Sequence, residues 1–144
     1  MKRASLFPLV VFALASSAWA GDKKFELRGS ASRGEKLYMT YCHLCHGDKG
    51  DGTGVIGNGL TTKPVNFTEP SRAAHLTDEF VYRLVKDGAA AHGRTVLMIP
   101  WKDVLKDQEI RDVAAYTLTL VAKGAAAAPA PDAGSTSSAP AGKK

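Results

Sequence analysis

The stretch Cys42-His43-Leu44-Cys45-His46 decides how this chain is read. Two thiols three positions apart, with an imidazole directly after the second, is the spacing for covalent attachment of a c-type haem. The chemistry explains the spacing. Each S–H adds across a vinyl group along one porphyrin edge to give a thioether, and the next side chain swings under the ring to reach iron. On this reading Cys42 and Cys45 hold the macrocycle and His46 is the proximal iron ligand. A closed structural zinc site needs four ligands, normally with a second Cys or His cluster, whereas the chain has 2 Cys in all. A redox C-x-x-C belongs beside a β-α-β pattern, at a helix N-terminus that lowers the thiol pKa. Here Gly47-Asp48-Lys49-Gly50-Asp51-Gly52 follows, which reads as a loop. A local disulfide leaves His46 without a role.

Upstream of the motif, Gly34, Tyr38 and Cys42 recur every fourth residue, which places them on one helical face and aims Cys42 at the cofactor. Ser32-Arg33-Gly34-Glu35 matches the capping-box pattern, so the helix is expected to start near Ser32. Residues 21–29 are polar and read as an extended N-terminal arm. Residues 1–20 read as a signal peptide: Lys2 and Arg3, an apolar core from Leu6 to Leu14 that is short of the about 20 residues a membrane span needs, and Ala18-Trp19-Ala20 at the cleavage site. Cleavage after Ala20 would leave no membrane span. It would also deliver both thiols to a bacterial periplasm, outside the cytoplasm, where a covalent haem has to be installed.

Downstream, the glycines from Gly47 to Asn66 are too frequent for a stable helix or strand. With neither a preceding strand nor a Gly-Lys-Ser/Thr ending, the stretch does not read as a phosphate-binding loop. It reads as a wrap passing close to the porphyrin, with a backbone carbonyl to accept the free ring N–H of His46. A helix is expected over Asp78–Asp87, capped by Thr77 and stopped by Gly88, with Phe80, Val81, Leu84 and Val85 buried. A further helix is expected from Asp107 to Val121. Ile110, Val113, Ala114, Thr117, Leu120 and Val121 form its inner side, and Arg111 and Asp112 point outward as solvated charges.

Between these helices, Met98 follows His46 by enough chain to return to the opposite face of the ring. A thioether ligand there completes six-coordinate iron and raises its reduction potential. Met39 sits within a turn of Cys42, on the proximal side. His75 and His92 remain rival distal ligands.

These residues resemble the class I (mono-haem) cytochrome c family, bacterial periplasmic type, over roughly residues 30 to 122. The matching positions are Gly34, Tyr38, Cys42, Cys45, His46 and Gly47, then Met98, Pro100 and Trp101, then Val113 and Tyr116. The resemblance implies an all-α, cytochrome c-like fold of three or more helices wrapped around one covalently attached haem, with the first and last helices crossing near Gly34 and Tyr116. It implies His46 and Met98 as axial ligands, and electron transfer at an exposed haem edge. The chain departs from the family pattern in two places. Ile99 separates Met98 from Pro100, and Val55 stands where the family has the proline whose carbonyl meets the proximal histidine.

One domain fits a chain of 144 residues, with the cytochrome domain over residues 30–123. An Ala/Pro/Ser/Gly-rich stretch over 124–144 lacks the large apolar residues needed to fold and reads as a disordered tail. Losing Lys2 and Arg3 with the leader takes 19 basic against 14 acidic residues to 17 against 14, a mild excess suited to acidic redox partners. Clustered basic residues interleaved with stacking aromatics are missing, so nucleic acid is not the expected partner. The function expected is one-electron carriage between redox proteins by a single haem c, without an enzymatic step of its own. The alternatives are the haem-bearing subunit of a larger oxidoreductase and, further off, an open-site haem sensor or enzyme. Lys63, Lys102 and Lys106 are candidates for steering a partner. In a domain this small the haem becomes a large part of the core, so the apo-protein is expected to be mostly unfolded.

Overall fold

The computed structural model describes residues 24–73 and 75–127. The expected leader and the stretch beyond residue 127 lie outside the described residues. The fold is all-α: α1 (Ala31–Tyr41), α2 (His43–His46), α3 (Pro70–Ala73), α4 (Asp78–Asp87) and α5 (Asp107–Ala127), with 3-10 turns at Gly57–Gly59 and Ala89–His92. No strand occurs among the described residues, and none of their helices is long and apolar enough to cross a membrane.

The molecule is organised by the crossing of α1 and α5. A side chain on Gly34 would collide with the Asp112 carbonyl, so glycine lets the two backbones touch. One turn on, the Tyr38 and Tyr116 rings meet at 5.2 Å. Tyr38, Ile110, Val113 and Ala114 are sealed at the crossing. The expected crossing near Gly34 and Tyr116 is observed.

The start of α1 differs from expectation. Its N-cap is Ser30, whose side chain makes no cap bond, and the Ser32–Glu35 capping box does not form. The Ser30 N–H instead donates to Asp112 Oδ1 at 2.7 Å. A carboxylate supplied by α5 has displaced the local cap. The reach-back bond of a capping box occurs at the start of α5, where the Lys106 N–H donates to Glu109 Oε2 at 2.8 Å.

Asp112 is therefore not a solvated charge. It is 2% exposed and accepts from Ser30 N–H, from Arg33 Nε and Nη2 at 2.7 and 3.0 Å, and from Gln108 Nε2 at 3.0 Å. Burial alone would raise its pKa, but these donors outweigh burial and hold the carboxyl below its usual range. Arg111 is not simply solvated either. Its guanidinium lies over the Tyr82 ring at 4.7 Å and the Phe25 ring at 5.5 Å, and donates to the Glu26 carbonyl. The polar arm is thereby tied down, and Phe25 and Leu27 pack against the core.

The α4 expectation holds in its bounds and its caps. Thr77 Oγ1 accepts from the Phe80 N–H, and the Gly88 N–H closes on the Leu84 carbonyl. Its buried residues are Val81, Tyr82 and Val85. Phe80 and Leu84 are half-buried because they face a cavity, whereas Tyr82, unexpected in the core, packs against the Phe25 ring at 5.2 Å with a tilt of 34°. All six inner positions expected of α5 are buried. The helix itself runs on through Gly124 to Ala127, past its expected end at Val121.

Candidate haem site

α1 and α2, the segment from Leu60 to Phe67, α4 and the loop before α5 enclose a mostly apolar cavity of ≈ 580 Å³. Cys42, Cys45, His46 and Met98 all line it, so the structure brings the four sequence-expected site residues together. Met39, His75 and His92 do not line it; His92 packs behind the wall, against Phe80 at 5.8 Å.

The proximal corner is one tight turn. The Cys45 and His46 N–H groups both donate to the Cys42 carbonyl, at 3.1 and 2.9 Å, and the Gly47 N–H donates to His43 at 2.7 Å. The Tyr38 hydroxyl reaches across from the helix crossing to the Gly47 carbonyl at 2.8 Å. The turn is thus anchored to the best-packed part of the molecule. Burial, and then the neighbouring Cys45, push the Cys42 thiol up to about 12. A redox dithiol needs the opposite shift.

Burial lowers the His46 pKa, and the backbone of Val65 offsets part of that fall. The Val65 carbonyl nevertheless falls short of a hydrogen bond in geometry, and among the described residues Nδ1 is buried without a partner. The hydrogen bond expected from the wrap to His46 is therefore not made among the described residues, and the backbone beside the ring is that of Val65 rather than Val55. Val55 is 77% exposed and does not line the cavity. Phe67, which the sequence reading passed over, stacks on the His46 ring at 4.9 Å and 14°.

The opposite wall is the segment around Met98. The Met98 carbonyl accepts from the Ala89 N–H at 3.0 Å, and the Trp101 N–H donates to Val85 at 3.1 Å, so the loop is hung on the end of α4. Ile99 takes an exposed position, which leaves Met98 half-buried against the cavity. Trp101 meets Tyr41 of α1 at 5.4 Å, closing the rim from both sides. Of the three lysines expected there, Lys63 lines the cavity, while Lys102 is paired with Asp87 at 3.3 Å. Arg72 and Arg94 line it as well, Arg94 lying over the Phe80 ring at 5.3 Å.

Comparison with known proteins gives the family. The family model described as "Cytochrome C oxidase, cbb3-type, subunit III" matches residues 29–116. The chain is 34% identical over 88 residues to cytochrome c-554(548) of Halomonas halodenitrificans, covering 61% of this chain and 93% of that protein. Among solved structures, the KustC0563 c-type cytochrome aligns with a TM-score of 0.49 and 26% identity, over 60% of this chain and 95% of that one. The Kuenenia stuttgartiensis reducing HAO-like protein complex Kustc0457/Kustc0458 aligns with a TM-score of 0.50 and 27% identity, over 68% of this chain but 44% of that one. The chain belongs to the cytochrome c family. That family implies haem c, and the donors lining the cavity fit it: paired thiols, a half-buried imidazole and a thioether, set among apolar walls.

Proposed function

We propose that the chain is a periplasmic, mono-haem c-type cytochrome that carries single electrons between redox proteins. The observation that carries this reading is the convergence of Cys42, Cys45, His46 and Met98 on one apolar cavity. Cys42 and Cys45 would form the thioether links, His46 would be the proximal ligand and Met98 the distal one. The bound haem supplies the ferrous–ferric couple. The chain would hold the group by the anchored turn carrying Cys42, Cys45 and His46, Met98 would offer a sulfur donor from the same cavity, and the apolar walls would limit solvent reorganisation around the changing charge. Lys63 and Arg94 at the cavity favour an acidic partner surface, whereas Arg72 is paired with Glu69 at 3.3 Å. The leader over residues 1–20 supports export to the periplasm.

Visible spectra of the purified protein in both oxidation states test this reading. The expected result is a low-spin c-type spectrum with a ferric sulfur-to-iron band toward the red, lost in Met98→Ala. A high-spin ferric spectrum, with rapid carbon monoxide binding to the reduced protein, would instead indicate an open-site sensor or enzyme. A second reading is favoured by two relatives whose descriptions name a subunit and a complex: the protein is the haem-bearing subunit of a larger oxidoreductase. Co-purification of a stable partner under native conditions distinguishes it from a free carrier.

A further inference from the structure

His46 is held at its backbone by the α2 turn, but that turn does not fix the rotation of its ring. The usual restraint is a hydrogen bond from the other ring nitrogen, and here Nδ1 has no partner of good geometry among the described residues. The remaining candidate is Phe67, 8% exposed and nearly parallel to the imidazole at 4.9 Å and 14°.

Phe67 is itself held from both sides. Its N–H donates to the Gly50 carbonyl at 2.7 Å. The next residue, Thr68, gives its N–H and hydroxyl to Asn66 Oδ1 at 2.8 and 2.7 Å, closing a tight turn around Phe67. Thr68 then lies directly beneath Gly124. A methyl group on Gly124 would overlap the Thr68 backbone, so only a glycine permits this seat. Gly124 belongs to the part of α5 that runs beyond the helix end expected from sequence. The extension therefore has a structural consequence: the Thr68 turn, next to Phe67 in sequence, is seated against the end of α5.

We propose that Phe67 is a positioning residue that fixes the plane of the His46 imidazole, and that the Gly124 end of α5 holds Phe67 in place. The inference rests on His46 being a haem ligand. It requires a flat face at position 67 rather than mere volume. Leucine would fill much of the space without restraining the ring, whereas tyrosine would preserve the stack.

The test is the low-temperature electron paramagnetic resonance spectrum of the ferric holoprotein, whose g-values follow ligand-plane orientation, read alongside thermal melting. Wild type and Phe67→Tyr are expected to give one low-spin species with the same g-values. Phe67→Leu is expected to give a broadened signal or several species. Gly124→Ala, which does not touch the ligand, is expected to give the same heterogeneity, and it keeps the test alive if Phe67→Leu fails to mature. The proposal is overturned if Phe67→Leu and Gly124→Ala lower the melting temperature but keep the wild-type g-values, as ordinary core residues would. It is also overturned if wild type itself shows several ligand orientations. Wild-type protein lacking haem would overturn the functional reading itself, a result distinct from either of these.

Discussion

The α1–α5 crossing and the cavity wall use similar apolar residues with opposite results. At the crossing, Tyr38, Ile110 and Val113 are each 1% exposed and Ala114 is 0% exposed, with Asp112 stitching arm, α1 and α5 together. Across the molecule, Phe80, Leu84, Met98 and Trp101 are half-buried around ≈ 580 Å³ of cavity. Left unfilled, a space of that size would be wetted, with its apolar walls against water rather than against other apolar groups. The crossing can be satisfied by the polypeptide alone, whereas the cavity half needs something large, flat and apolar inside it.

The largest effect expected from this contrast is in a Cys42→Ser/Cys45→Ser variant, which cannot form the covalent links. It should lose cooperative melting by circular dichroism, with helicity reduced most outside α1 and α5. A sharp, wild-type-like transition in that variant would mean that the cavity half stands without its cofactor.

At the crossing, Asp112→Ala leaves the part-buried Ser30 N–H unpaired and removes the anchor of Arg33. The expected cost is about 2–3 kcal/mol in chemical denaturation of the holoprotein, with the visible spectrum unchanged. Asp112→Asn should cost less, because it keeps an acceptor for Ser30. Equal costs would mean that the carboxylate charge, rather than the retained shape and acceptor, is what matters there.

The same residues set the acid limit. Hydrogen bonds from Tyr82 and then from Arg111 hold the Asp107 carboxyl down at about 2, and Asp112 also lies below its usual range. A carboxyl depressed in the folded state stabilises the fold above its unfolded pKa of about 4, and that contribution fades as pH falls through the folded value. Stability should therefore decline from about pH 4 toward pH 2, and Asp107→Asn should flatten the decline. A wild-type melting temperature unchanged across that range would contradict the assignment.

The smallest effect concerns the rim. Arg94→Ala should lower the rate of electron transfer to an acidic partner more than Lys102→Ala, because Lys102 is already paired with Asp87. Both differences should vanish at high ionic strength.

What could be read from sequence follows the reach of each interaction. Cys42, Cys45 and His46 were legible because their spacing is itself the chemistry, and α4 was legible because Thr77 and Gly88 punctuate it locally. Met98 could be named from chain length and ligand type, but its place at the cavity wall depends on Ala89 and Val85. Asp112 was misread because, within its own helix, it looks like one more charge beside Arg111. Its partners Ser30 and Arg33 lie 82 and 79 positions away. Phe67 carried no local signal, since its stack on His46 and the packing of its neighbour Thr68 beneath Gly124 exist only once the chain has closed.

The central claim is that a haem is bonded to Cys42 and Cys45 and fills the cavity these helices enclose. Intact-mass analysis of protein from a host competent for c-type maturation tests it most directly. The account predicts the mass of the chain plus one haem, retained through denaturation and acid–organic extraction. A bare polypeptide, or a haem that extracts freely, would contradict it.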